Sequence, residues 1–206
     1  MDYKELLEQS IREEETYVFS DFSRKDVWEL GCALVQSASQ MEGPIAVEIE
    51  LNGTLVFRYY PEGTGKFHEQ WLARKRNTVR VTEHSTMRIA ADLKSRGVTM
   101  LEDMRLDPMD YADCGGGFPL RIRGGCVIGS IATSGLPDVR DNAALIGGLK
   151  IFFEKHPQKS KMNPGGTKVP PGFLRLPVFR RNVGVDAALS PAGYDCKIAR
   201  PIGDSA

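Results

Sequence analysis

One stretch constrains the fold more than any other: Gly115-Gly116-Gly117, a run from Phe118 to Arg123, Gly124-Gly125, a run from Cys126 to Thr133, then Ser134-Gly135-Leu136-Pro137. Phe118, Leu120 and Ile122 alternate with Pro119, Arg121 and Arg123, the period-two pattern of a strand with one buried face. Gly124-Gly125 carries no Cβ to clash at positive φ and suits a two-residue hairpin turn. Cys126 to Thr133 reads as a more deeply buried return strand, and Pro137 suits the first turn of a following helix. A chain built around this unit needs an antiparallel sheet.

Taken in order, Asp2 to Glu15 reads as a charged helix with Leu6, Leu7 and Ile11 on its apolar side, and Val18-Phe19 as a short connecting strand. Ser23 is placed as an N-cap with Asp26 in the capping-box position; Val27, Leu30, Leu34 and Ala38 then share one helical face. Ile45 to Leu51 alternates, with Glu48 and Glu50 opposite the apolar set, and Asn52-Gly53 is a strong hairpin signal. A regular two-residue turn would put Leu55, Phe57 and Tyr59 on the face of Glu48 and Glu50, so protein is expected on both sides of the sheet. Helices follow over His68 to Val81 and Ser85 to Ser95, the second ended by Gly97. Thr99 to Asp113 is mixed loop and short helix, and Pro137 to Glu154 is the last helix. The order of elements gives an α+β domain over residues 1–154.

Residues 155–206 differ. They contain seven of the twelve prolines and six glycines, with no surviving period, and read as an irregular extension. The formal net charge is zero, yet these residues hold nine Lys/Arg against three Asp/Glu, leaving eighteen against twenty-four in residues 1–154. The basic residues are dispersed, which argues against a nucleic-acid tail and for one lying over an acidic surface. Cys32, Cys114, Cys126 and Cys196 form no Cys-x-x-Cys pair. With three histidines and no His-x-x-x-His spacing, no metal site is expected. The N-terminus lacks the apolar core of a secretion signal, and no apolar run reaches membrane-span length. The expectation is a cytoplasmic protein with reduced thiols and neither nucleic acid nor membrane as a partner.

Several segments carry a resemblance. Gly-Gly-Gly-Phe-Pro at 115–119, Val-Ile-Gly at 127–129, Ser-Gly-Leu-Pro at 134–137, Trp71-Leu72-Ala73-Arg74-Lys75 with Val79, and Leu106-Asp107-Pro108 with Asp110-Tyr111 occur in one order. Together they resemble the haem-degrading-domain family, the HbpS/GlcG-like proteins, and in particular its uncharacterised intracellular fungal and bacterial branch, across residues 1–154. The resemblance implies a profilin-like arrangement with an antiparallel sheet of about five strands packed with helices. It also implies a homo-oligomer, with haem as the nominal ligand. Two positions depart from the family's pattern: Cys114 and Asn142 stand where relatives often carry histidine. Inherited haem or metal chemistry is thereby put in question.

Trp71, Lys75 and Thr78 share a helix face, with Arg74 on the flank of Trp71. An Arg-Lys pair beside an aromatic ring suits a carboxylate; the alternative is a basic face paired with the acidic body, the preferred reading for Arg76 and Arg80. Gly116 and its neighbours either cradle an anion or allow close backbone approach at a strand's start, the latter preferred. Cys114 is a thiolate ligand, a nucleophile or a buried structural thiol, the last being the commonest role. His68 lies one turn before Trp71 and can line the same pocket. His84 suits a capping or core role, and His156 the surface. One function is then a small-molecule-binding module for an anionic or aromatic ligand, with walls from Trp71, Arg74, Lys75, Cys114, Gly116, Phe118, Arg121 and Asn142. A second is a cofactor-independent isomerase, cyclase or lyase of secondary metabolism, with Arg74 or Lys75 stabilising charge and His68, His84 or Asp141 moving protons. A third, implied by a yeast member of the family, is an oligomeric scaffold linked to tail-anchored-protein insertion.

Overall fold

Short polar residues open the helices of the computed structural model, which describes residues 2–160. The Asp2 carboxylate accepts the Lys4 N–H at 2.9 Å and starts α1, Tyr3–Thr16. Ser23 and Asp26 form a reciprocal capping box at α2, Arg24–Ala38. At α3, Lys66–Thr82, an imidazole plays that part, since the Gly65 N–H donates to His68 Nδ1 at 3.1 Å. Ser85 caps α4, Thr86–Arg96, which ends at Gly97 with φ of 66°. A short α5, Met100–Met104, follows.

β1, Ala46–Leu51, and β2, Thr54–Tyr59, meet at Asn52-Gly53, whose φ values of 48° and 82° are both positive. That is the twist of a type I′ hairpin. Pairing does not stay regular beyond it. Glu50 faces Leu55, but Ile49 faces Phe57 and Glu48 faces Arg58. The bulge corrects the expectation for Phe57 and Tyr59: it turns them to the apolar side and places Arg58 opposite Glu48. The second hairpin pairs β3, Gly117–Arg121, with β4, Val127–Ser134. Its turn centres on Arg123-Gly124, because Gly125 N–H donates to Ile122 O at 2.9 Å and, of the two glycines, Gly124 alone takes positive φ, 66°.

Among the described residues the sheet has four strands, all antiparallel, in the order β2-β1-β4-β3. A fifth position on the β3 edge is filled by Phe19 alone, which bonds to Arg121 O at 3.0 Å and to the Arg123 N–H at 2.8 Å. The chain cannot extend this pairing, because the Ser20 N–H turns away to Lys159 O at 2.7 Å.

Helix α2 and α6, Asp138–Lys155, cover one face of the sheet. There Val47, Ile49, Phe118, Leu120 and Ile131 pack with Leu34, Leu145, Leu149 and Phe152. Helix α3 covers the other face, where Leu72 meets Ala46 and Ala132, and α1 packs on α4. Helix α6 runs one residue past the expected end, and a 3₁₀ turn, Pro157–Lys159, follows. His156, expected at the surface, stacks on Phe152 and lies 3.1 Å from Glu29. The irregular extension predicted for 155–206 lies, from residue 161, outside the described residues. No helix among the described residues is long and apolar enough to cross a membrane.

Candidate functional site

β4 ends and β3 begins at the same edge of the sheet, where α3 approaches from one face and α6 from the other. Lys75 reaches this edge from α3 and is 2% exposed. Its Nζ donates to Thr133 O and to Asp141 Oδ2, each at 2.7 Å. The other carboxylate oxygen, Oδ1, accepts the Leu136 N–H at 3.0 Å, so Asp141 also pins the loop between β4 and α6. Burial raises the Asp141 carboxyl above its ordinary range, outweighing the opposing pull of Lys75 and the backbone N–H groups.

The glycine run lets these groups meet. Gly116 has φ of 103°, and a Cβ there would lie 2.7 Å from Thr133 O and 2.8 Å from Lys75 Nζ. The preferred sequence reading, close backbone approach, is the one that geometry supports. The preceding loop is tied to α3, since Thr78 Oγ1 accepts the Ala112 N–H at 2.9 Å. That tether brings Cys114 to the edge of the site. Burial pushes the Cys114 thiol up, with nearby Lys75 opposing.

Around Lys75 and Asp141 opens a cleft of about 280 Å³. Phe67, His68 and Trp71 of α3 line it, with Cys114 of the loop before β3 and Ser134, Leu136 and Asp138 from the end of β4 to the start of α6. Phe67 and Trp71 stand one helical turn apart in edge-to-face contact at 6.5 Å. Arg74 lies over the Trp71 ring at 4.9 Å, flanking the cleft without lining it. Because His68 Nδ1 accepts a backbone N–H, its Nε2 is left to carry the proton.

The structure thus brings together His68, Trp71, Lys75, Cys114 and Asp141, with Gly116 behind them, and sends four predicted residues elsewhere. Phe118 is 1% exposed and belongs to the opposite, apolar face of the sheet. Arg121 donates to Glu83 O at 2.7 Å. His84 lies 3.0 Å from Glu14 Oε2 and helps fasten α1 to α4. Asn142 follows Asp141 on α6 but faces a different cleft. Arg76 and Arg80 pair with Glu48 and Glu50, in line with the structural role preferred for them. Sequence reasoning missed Phe67, Ser134, Leu136 and Asp138. Phe67, four residues before Trp71, had a usable signal in its helical spacing.

The pattern of the family described as haem degrading protein HbpS-like matches residues 22–150. The chain belongs to the HbpS-like family. A UPF0303 protein of Streptomyces coelicolor is 34% identical over 141 residues, covering 68% of this chain and 89% of the relative. Among solved structures, Ybr137w shares 24% identity with a TM-score of 0.68, covering 73% of this chain and 89% of its own. PduOC, solved as a haem complex, shares 24% identity with a TM-score of 0.52, covering 63% and 93%. These likenesses establish the HbpS-type fold.

For haem, the lining of this HbpS-like cleft offers two candidate iron ligands. They are the His68 imidazole and the Cys114 thiol. No group of three or more His, Cys, Asp or Glu among the described residues is placed to hold a metal ion.

Proposed function

We propose that this HbpS-like protein binds a small molecule with an aromatic body and a carboxylate or carbonyl acceptor in the cleft between α3 and α6. The observation that carries this reading is Lys75. An ammonium has three N–H donors, and two are taken by Thr133 O and Asp141. The third is the donor for a ligand acceptor, and the His68 Nε2–H is a second donor in the same cleft. The rings of Phe67 and Trp71 and the side chain of Leu136 supply the apolar contact for the ligand body. PduOC is a precedent for a haem-related ligand on this fold. A homo-oligomer belongs to the same reading. β2 is an edge strand with Tyr59 43% exposed, and Trp28, 67% exposed, packs edge-on against Phe57 of the same strand, an apolar surface of the kind that copies of a chain cover.

The sequence has two tryptophans, so Trp28→Phe leaves Trp71 as the only tryptophan reporter. Titrating that variant with indole-3-acetate, benzoate, their alcohol analogues and haemin, with native mass recorded, tests the reading. We expect saturable quenching by the aromatic carboxylates at one per chain, weakened ~10-fold or more by Lys75→Met through loss of a charge-assisted hydrogen bond. Absence of saturation, or equal affinity after Lys75→Met, would overturn it. A saturating Soret shift with haemin alone would replace it with haem binding.

A further inference from the structure

Two acceptors fix the Lys75 nitrogen: Thr133 O near the end of β4 and Asp141 Oδ2 in the first turn of α6, each at 2.7 Å. Both acceptors are themselves anchored. Asp141 is 2% exposed, and its other oxygen accepts the Leu136 N–H at 3.0 Å. Thr133 is fully buried; its N–H donates to Gly116 O at 2.8 Å and its hydroxyl to Asp141 O at 2.8 Å. The missing Cβ of Gly116, which would lie 2.8 Å from Nζ, leaves one flank of the nitrogen uncrowded.

That nitrogen is tetrahedral, and Cε with the two bonded protons takes three of its positions. The fourth belongs to the cleft that Lys75 lines. It holds a proton or a lone pair, and the bonds to Thr133 O and Asp141 are the same in either case. With a proton it is a hydrogen-bond donor. With a lone pair it is a nucleophile aimed at whatever the cleft holds, and a lysine amine at the wall of an apolar pocket is the usual setting for imine chemistry.

We propose that Lys75 forms an imine with an aryl or arylalkyl aldehyde seated against Phe67, Trp71 and Leu136. The inference rests on the binding reading above and narrows its acceptor to the carbonyl of an aldehyde. Lys75 is 2% exposed, and an aldehyde carbon, with hydrogen on one side, is the least hindered carbonyl to bring to such a nitrogen. The third ammonium proton leaves to water in the cleft, and the freed pair attacks the carbonyl carbon. The C–N bond forms as the C=O π pair moves to oxygen. One N–H proton passes to that oxygen, and the hydroxyl leaves as water with the proton first released. The nitrogen pair closes the C=N bond, and the iminium keeps one N–H and one positive charge. Asp141 therefore faces a cation before and after the step, which favours the iminium.

Reductive trapping on the unaltered full chain tests the proposal, so no variant has to fold. The protein is treated with limiting benzaldehyde and sodium cyanoborohydride near neutrality, and peptide mass mapping locates the benzyl groups. Lys66 on the same helix and Lys25 on α2, with side chains 93% and 83% exposed, serve as references. Labelling by exposure alone would put both ahead of Lys75. We expect the reverse, with Lys75 benzylated ~10-fold or more faster than either because the cleft holds the aldehyde against it. Lys75 unlabelled, or labelled no faster than Lys66 and Lys25, would overturn the imine. The Trp71 quenching by aromatic carboxylates separates the two failures. Quenching without Lys75 labelling removes the imine and keeps the binding reading, and loss of both removes both.

Discussion

Two charge clusters lie under the same helix, α3, and they are built in opposite ways. Toward the β1-β2 side, Glu48 is 1% exposed and closed in by three bonds: Arg58 Nε at 2.7 Å, an Arg58 terminal nitrogen at 2.6 Å, and Arg76. Beside it Glu50 takes Arg80 at 3.0 Å and the Gly53 N–H. Every acceptor there is spent on the fold. At the other end of the sheet Lys75 is just as buried, yet two acceptors meet its three donors, and its open side is a cleft with aromatic walls. The lesson is that burial of a charge does not mark a binding site. What separates the clusters is that the carboxylates of the first have used up their hydrogen-bonding capacity, even though Arg76 Nε beside them is buried without a partner, while the ammonium of the second has a donor left over.

The largest effect is expected at the closed cluster. Glu48→Ala leaves Arg58 and Arg76 facing each other without their carboxylate, and breaking such a buried pair from one side costs about 3 kcal/mol. The shift of the urea midpoint measures it, and ligand affinity of the folded fraction should not change. Lys75→Met should cost less, about 1–2 kcal/mol, because Asp141 keeps the Leu136 N–H and, with its pKa already raised, takes up a proton readily. Adding Asp141→Asn should restore most of that stability without restoring ligand binding. If Lys75→Met costs as much as Glu48→Ala, the two clusters are alike and the comparison fails.

The smallest effect sharpens the comparison at a third buried charge, Glu14. Burial raises its carboxyl, but hydrogen bonds from His84 and Ser85 outweigh that and leave its pKa below the ordinary value of 4.5. Its contribution to stability is therefore present above that pH and is lost as pH falls through the depressed value. Wild type should lose more stability than Glu14→Gln on acidification through this window, and amide exchange in α1 should report the release. Parallel acid profiles for the two proteins would remove Glu14 as the clamp between α1 and α4.

Much of the fold was legible because it is set by neighbours in the chain. Ser23 with Asp26, Asn52-Gly53, Gly97 as a helix stop and the alternation at Ile45 to Leu51 act within a few residues, and the structure has each of them. The candidate site was legible in part. Trp71 and Lys75 fall on one helical face by spacing alone, and both reach the cleft. Phe118 was misplaced although its alternation with Leu120 already put it on the apolar side of its strand. Phe57 was misplaced for a different reason: a single bulge between Ile49 and Glu50 changes which face every later residue of β2 occupies.

The sequence by itself determined the elements, their caps and turns, the apolar stripes and the family, because those depend on local sterics and periodicity. Only the tertiary structure decided the partners of the buried charges. Which of Arg74, Lys75, Arg76 and Arg80 is free for a ligand depends on which carboxylate stands opposite, and the carboxylates that meet Lys75, Arg76 and Arg80 lie 66, 28 and 30 residues away in the chain. The same holds for Asp141 and Asn142. They are adjacent in sequence, and the roughly 100° between consecutive helix positions sends one to the Lys75 cleft and the other to the cleft beneath α1.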